Sequence, residues 1–397
     1  MIRLVTFGNL YPSAARPHFG IFVETRLRRL LAEGGVEAKV VCPRPWFPGS
    51  HLLSAARPHY AAGPPVEIRH GVEVRYPRWP VVPKIGTLWQ PRLMAASARP
   101  TLRRLRAEGY DFQVIDAQYF YPDGVAAMRL AREFGVPFTV TARGTDLNLA
   151  PADPRVRALV KEAALASAAN ICVAAALKRV LDDFGVPPEK THVFRNGVDL
   201  ELFRPVERVA ERRKLGMTRL TLLSVGHLVP RKGHHLVIEA LSALPEFDLV
   251  IAGTGEEEAR LRGLVASRGL GDRVRFAGRL DQAELRRWYG AADALVLASD
   301  REGWANVLLE SMACGSPVVA TAIWGTPEVV AAPEAGVLVE ERSAAGLADG
   351  VRRLFAAPPA REAVRRYAEG FSWDATARGL KSLFTSITSA APAAPRP

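Results

Sequence analysis

Cysteine is scarce: Cys42, Cys172 and Cys314 are the only three in 397 residues. Their wide spacing excludes a disulfide framework and a thiolate metal site, and reads as small buried residues in a reducing compartment. Long apolar runs are missing too. None approaches the roughly 18 residues of a membrane span, and residues 1–10 lack the basic, apolar and cleavage regions of a signal peptide. A cytoplasmic location is the expectation. No Asp-x-Asp pair or histidine–carboxylate cluster occurs, so the sequence calls for no divalent ion. Acids are sparse at the amino-terminal end, where residues 1–110 hold 17 Lys and Arg against 6 Asp and Glu, or +11 of the formal +12.

That charge gathers on Arg26, Arg28 and Arg29, and on Arg92, Arg99, Arg103, Arg104 and Arg106 with Leu88, Trp89, Leu93, Met94, Leu102 and Leu105 interleaved. The pattern reads as a basic amphipathic surface over 88–106. Peripheral contact with anionic lipid at the inner face of the membrane and a solvated arginine-rich face explain it equally well. No nucleic-acid motif accompanies the charge, so a nucleic-acid partner is not expected.

The length suits two α/β domains. Apolar runs of strand length alternate with helical periodicity, which predicts parallel sheets with helices on both faces. Strands are predicted over 2–7, 38–42, 72–76, 112–115, 138–141, 170–173 and 192–194, then again over 220–225, 249–252, 274–276, 294–297, 318–320 and 337–339. Helices fall between them, as over 21–33 and 124–134. Residues 43–91 are rich in Pro and Arg and read as loops with an edge hairpin. Residues 196–216 read as an interdomain linker. Domains are expected over 1–200 and 217–370, with a final helix at about 373–387 and a disordered tail over 388–397.

One stretch carries more functional information than the rest. Glu302-Gly303-Trp304-Ala305-Asn306-Val307-Leu308-Leu309-Glu310-Ser311-Met312 spans a loop-to-helix junction between two apolar strands. Asn306 can cap, Val307, Leu308 and Met312 form a buried stripe, and Gly315 with Pro317 stops the helix. The amides at such a helix start can hold a phosphate. On a continuous helix two carboxylates eight residues apart stand roughly 12 Å apart along the axis, too far to flank one bond as a glycosidase pair does. Different roles fit Glu302 and Glu310 better.

At these residues the chain resembles the retaining family 4 glycosyltransferases, marked by a glutamate, seven residues and a second glutamate. The likeness covers nearly the full length and reaches the subgroup of bacterial cell-surface polysaccharide transferases similar to the teichuronic-acid type. It implies the GT-B fold, two facing Rossmann-like domains with a cleft and a carboxy-terminal crossover helix. It also implies a nucleoside diphosphate sugar as co-substrate, a saccharide or lipid-linked acceptor, and no cofactor or metal. Glu302 would contact donor-sugar hydroxyls, and Glu310 the ribose.

The other candidates follow from strand ends. The loop from Gly226 to Gly233 offers Lys232 as a diphosphate ligand and Arg231 as a replacement cation, because His227 stands where the family usually has arginine. Gly253 and Arg279 follow the next two strands, placed for close approach and for the nucleotide base, although a plain turn explains Arg279 nearly as well. In the first half, Arg143 stands where the family commonly has histidine. An arginine cannot act as a base at neutral pH, so it would hold the transferred group or acceptor, with Asp146 orienting it. Gly20 is the expected close-approach glycine of the first loop, and His18 a polar loop residue. Tyr119, Tyr121 and Asp123 are candidate acceptor contacts, though core stacking explains the tyrosines equally well.

The combined expectation is a metal-independent retaining transferase acting in cell-surface polysaccharide or glycolipid synthesis. Two alternatives remain at this point: a nucleotide-sugar epimerase of the same fold, and a non-catalytic nucleotide-sugar-binding protein.

Overall fold

The computed structural model describes residues 1–17, 19–48, 63–81 and 86–390; His18 and residues 391–397 of the expected tail lie outside them. The chain divides into two compact units, one of residues 1–195 joined by the chain from Asp374 onward, the other Asn196–Trp373.

The strands, in chain order, are β1 (Ile2–Phe7), β2 (Val36–Val41), β3 (Arg44–Trp46), β4 (Val66–Arg69), β5 (Val72–Arg75), β6 (Arg78–Pro80), β7 (Val114–Ala117), β8 (Phe138–Ala142), β9 (Ala169–Cys172) and β10 (Thr191–Val193) in the first unit. Eight of them form a sheet in the order β10-β9-β8-β7-β1-β2-β5-β4. Only the β4–β5 hairpin at its edge is antiparallel, while β3 and β6 pair separately. The largely apolar β1, β7 and β8 lie in the middle of the sheet, as expected of strands covered on both faces, with Asp116, Thr139 and Thr141 as buried polar exceptions.

Three helices matter for the site: α1 (Ile21–Ala32), α2 (Gln90–Ala107) and α3 (Val125–Phe134). The core joins Leu4, Val23, Leu27, Leu30, Val40, Val74, Val114 and Ile171 with Leu380 and Phe384 of the last helix. That helix, Trp373–Ala390, runs three residues beyond its expected end into the supposed tail, where Thr388 Oγ1 donates back to the Phe384 carbonyl at 2.9 Å.

In the second unit β11 (Leu220–Val225), β12 (Phe247–Ala252), β13 (Val274–Gly278), β14 (Ala294–Leu297), β15 (Val318–Thr321) and β16 (Gly336–Val339) form one parallel sheet, ordered β13-β12-β11-β14-β15-β16. Leu222, Leu249, Ile251, Val296 and Val319 meet Val237, Ile238, Leu241, Leu347 and Val351 of the covering helices in its core.

The linker reading is corrected here. Residues 196–216 belong to the second unit, and their charged run forms a helix, Arg208–Lys214. Arg208 and Arg212 both grip the Asp293 carboxylate ahead of β14, with Arg212 Nη1 at 2.8 Å. A charge run looks like a solvated linker until its counter-ion, some 80 residues away, is known.

Candidate functional site

In the second unit the strand ends bring three glycine loops together. Gly226 ends β11, and Lys232 lies in the single 3₁₀ turn that follows. Gly253, after β12, has φ 149°, and a Cβ there would lie 1.8 Å from the Gly226 carbonyl oxygen. No other residue fits that close approach. The Lys232 side chain packs along Gly226.

Lys232 Nζ reaches Glu302 Oε1 at 2.5 Å, across 70 residues of sequence. The same Glu302 oxygen accepts a 2.7 Å bond from the buried Ser299 hydroxyl. Ser299 lies two residues beyond the end of β14, and Thr321 Oγ1 holds its carbonyl at 2.7 Å from the end of β15. Glu302 is only 9% exposed. Burial alone would raise its pKa, but the Lys232 charge and hydrogen bond, the Ser299 hydrogen bond and the Arg231 charge together hold it below the ordinary value. The result is an ionised carboxylate paired with an ammonium, both with further capacity for a polar ligand. Arg231 is half-buried beside them, and its carbonyl accepts the Asp300 N–H at 2.9 Å.

The helix Asn306–Ala313 starts just beyond. Its N-cap is Ala305 with no side-chain cap, so Asn306 does not cap as expected. Asn306 is the first helical residue, and its Oδ1 instead accepts from Asn196 Nδ2 at 3.2 Å. Gly303, Trp304 and Ala305 are buried; the Trp304 ring packs toward Phe371 at 6.2 Å between centroids, so this segment offers backbone rather than side chains. The buried stripe is Leu308, Leu309, Met312 and Ala313, with Val307 only half-buried. Gly315 at φ 81° ends the helix as the sequence suggested. Glu310 accepts a 3.0 Å bond from the Tyr289 hydroxyl. Burial pushes the Glu310 carboxyl up to about 7, and the Tyr289 hydrogen bond opposes that only in part. Arg279 is exposed, immediately after β13.

Ser299 and Tyr289 were not singled out from sequence. Ser299 had a usable signal, since it is the first polar residue after an apolar strand run; Tyr289, inside a helix, had none.

In the first unit the polar residues gather where β1, β7 and β8 end, beside the point where chain order reverses across the sheet. Arg143, after β8, donates from Nε to the Gln118 carbonyl at 3.3 Å and from Nη2 to the Gln118 side chain. Gln118 in turn donates to Asp116, which also takes the Thr139 hydroxyl at 2.8 Å. Arg26 of α1 completes the network, donating to Thr141 Oγ1 at 3.0 Å with Asp116 4.0 Å away. Arg26 is therefore buried beneath the strand ends and does not belong to the basic surface. Burial, reinforced by the like charge of Arg26, pulls the Arg143 pKa down.

Asp146 accepts the backbone N–H groups of Phe120, Arg143 and Gly144 at 3.0, 3.0 and 2.7 Å. It thus ties the β7 and β8 loops to each other through backbone. Tyr119 is half-buried with its hydroxyl against that of Thr145. The acceptor role expected of Tyr121 is corrected: the ring is buried, and the hydroxyl donates to the Thr87 carbonyl. Asp123 is fully buried as well, against Gly8, so it touches no acceptor. Gly20 has φ 73°, and a Cβ there would meet the Leu10 carbonyl carbon at 2.6 Å. Its close approach is to its own chain rather than to a ligand.

The basic helix α2 also differs in part from expectation. Met94, Ala95, Ala98, Leu102 and Leu105 face the core, so the apolar residues between the arginines are not a free stripe. Arg99 and Arg103 share Glu133 of α3. Arg106 lies over the Phe112 and Phe134 rings. Trp89 is 58% exposed with Arg92 over its ring. No helix among the described residues is long and apolar enough to cross a membrane, and no cluster of three or more metal-ligand side chains occurs among them.

Comparison with known proteins places this geometry. Residues 207–371 match the model for glycosyl transferases group 1, and residues 23–202 match that for glycosyltransferase family 4. The D-inositol 3-phosphate glycosyltransferase of Frankia alni is 34% identical over 89% of this chain and 91% of its own. That of Catenulispora acidiphila is 30% identical over 97% and 96%. These relatives are named for inositol phosphate, not for the teichuronic-acid type of transferase. Among solved structures, sucrose-phosphate synthase from Thermosynechococcus elongatus superposes with a TM-score of 0.80 at 22% identity, over 98% of this chain and 99% of that one. Anabaena HepE in complex with UDP-glucose gives 0.73 at 19%, over 97% and 100%. The chain is a glycosyltransferase of family 4 with the GT-B fold.

Proposed function

We propose that this transferase moves a sugar from a nucleoside diphosphate sugar to a hydroxyl of a phosphorylated polyol or saccharide acceptor, with the anomeric configuration retained. The Lys232–Glu302 pair at the glycine loops, one helix start away from Glu310, is the observation that carries this reading. The names of the inositol 3-phosphate relatives support the acceptor class, and HepE supports the donor class. A surface-polysaccharide acceptor remains the alternative that the resemblance implied.

In this reading Lys232, with Arg231 and the amides near Ala305, meets the negative charge that develops on the departing diphosphate. Glu302 takes hydroxyls of the transferred sugar, and Glu310 the ribose hydroxyls. The bond from the anomeric carbon to the diphosphate breaks with its electron pair going to the phosphate oxygen. The acceptor oxygen bonds to the same face of the sugar, and its proton passes to that phosphate oxygen. Arg143 holds the acceptor side, and no metal is assigned a step. Calorimetric titration with a panel of nucleoside diphosphate sugars tests the reading; failure of every one to bind overturns it.

The raised Glu310 pKa makes a further prediction. Ribose hydroxyls donate to a carboxylate, so binding is strongest when Glu310 is ionised. UDP-glucose affinity should fall as pH drops below about 7, approaching tenfold per unit for one proton taken up. Glu310→Gln should bind about tenfold more weakly at pH 8 and show no such slope in the same titration.

We also propose that the outer face of α2 rests on anionic lipid. Arg92, beside Trp89, and Arg103 and Arg104, further along the helix, are exposed. Replacing all three with Glu should weaken binding to phosphatidylserine vesicles at least about 100-fold, at ~1 kcal/mol per basic residue. Equal sedimentation of variant and wild type at low salt contradicts the contact.

A further inference from the structure

At the carboxyl ends of β1, β2 and β5 lies a cavity of about 310 Å³, lined by Asn9, Tyr11, Arg16, Cys42, Arg44 and Tyr76 among others. It is separate from the Arg143 network and has no role in the chemistry described above. Two guanidiniums face it. Arg16 lies flat on the Phe19 ring at 3.4 Å and Arg44 on the Tyr76 ring at 3.5 Å. Stacking holds both planar forks, and Arg44 Nη1 also donates to the Pro64 carbonyl at 3.3 Å.

The charges are poorly compensated. Among the described residues no carboxylate pairs with Arg16. Arg44 Nη2 makes only a 3.5 Å ion contact to Glu67, a carboxylate that also contacts Arg69 and accepts from the Tyr76 hydroxyl. Burial pulls the Arg16 pKa down to about 10, opposed by Cys42 and aided by the like charge of Arg44. Tyr11 is 3% exposed, and its hydroxyl has no hydrogen-bond partner, although buried hydroxyls ordinarily find one. Arg44 Nη2 is likewise buried without a hydrogen bond. The Arg16 guanidinium, Arg44 Nη2 and the Tyr11 phenol around one cavity are donors without a hydrogen-bond acceptor among the described residues.

From this we infer that the cavity is an oxyanion subsite, in which Arg16, Arg44 and the Tyr11 hydroxyl hold the phosphate or carboxylate group of the acceptor. The forks suit bidentate recognition of either group, and the phenol supplies one further donor. The inference rests on the transferase reading for the identity of the ligand, but not for the presence of the anion.

The test is calorimetric titration of the full chain with inorganic phosphate, and separately with acetate, while UDP occupies the donor site. Phosphate should bind at least tenfold more weakly to Arg16→Gln and to Arg44→Gln, and about threefold more weakly to Tyr11→Phe. Arg44→Lys, which keeps charge but loses the fork, should fall between. Melting temperatures identify a variant that fails to fold. Transfer kinetics supply the second arm. Wild type should use an inositol phosphate at least tenfold better in kcat/KM than inositol, and Arg16→Gln should reduce that preference below threefold, mainly through KM. Phosphate and acetate affinities unchanged by the substitutions, or equal use of both acceptors, overturn the inference. If UDP itself does not bind, the donor reading fails, and the phosphate titration of the same protein still decides the subsite.

Discussion

Replacing Lys232 with Ala should lower kcat/KM for sugar transfer by about 10²–10³-fold, the usual effect of removing one donor to a developing anion. It should also destabilise the protein by about 3 kcal/mol at neutral pH, because it strands a buried carboxylate. The two effects separate in a double variant. Lys232→Ala with Glu302→Gln removes the stranded charge, so chemical denaturation should recover most of the lost stability while transfer stays lost. Lys232→Ala losing stability while keeping transfer would mean that Lys232 is only a structural partner of Glu302. The pH dependence has a definite sign. The folded pKa of Glu302 lies below its ordinary 4.5, so its contribution is present above that value and disappears as pH falls through the folded pKa. Lys232→Ala should remove that acid limb.

Asp123→Asn should have the opposite effect and stabilise the protein. Asp123 is fully buried, and no side chain among the described residues hydrogen-bonds its carboxyl. Burial first, and the nearby Asp146 charge second, push its pKa up to about 8, and the Asn9 backbone offsets this only in part. A carboxyl with a raised folded pKa favours folding while protonated. That contribution is intact below the unfolded value of 3.8 and lost as pH rises through about 8. Wild-type stability should therefore fall between pH 5 and 8, with Asp146 and Glu310, also raised, adding to the slope. The Asn variant should be more stable by on the order of 3 kcal/mol at pH 8, with little gain at pH 4. Melting curves across that range measure it, and a constant difference at all pH values contradicts the titration of Asp123.

Much of the architecture was legible because parallel strands covered on both faces are nearly continuous apolar runs. The runs that became β1, β8, β11, β12, β14 and β15 therefore stand out against their polar connections. The short pair β3 and β6 did not, since Arg44-Pro45-Trp46 and Arg78-Trp79-Pro80 carry neither period nor apolar run. Glu302 and Glu310 were found by their spacing around a helix start, a local feature. Their partners were not. Lys232 meets Glu302 across 70 residues, Tyr289 meets Glu310 from another helix, and Gln118 meets Arg143 from another strand. Spacing cannot reveal a contact that the sheet order creates. The burial of Arg26 and of the arginines facing Asp293 was hidden for the same reason, as a charge reads as solvated until its distant partner is placed.

The central claim is transfer with retention from a nucleoside diphosphate sugar, carried by Glu302 and Lys232. The most direct measurement is proton NMR of the reaction of the full chain with the donor that binds best and a phosphorylated polyol. The expected spectrum shows nucleoside diphosphate released and a product anomeric coupling matching that of the donor, both absent with Glu302→Gln. An inverted anomer, or undiminished turnover by that variant, would contradict the assignment.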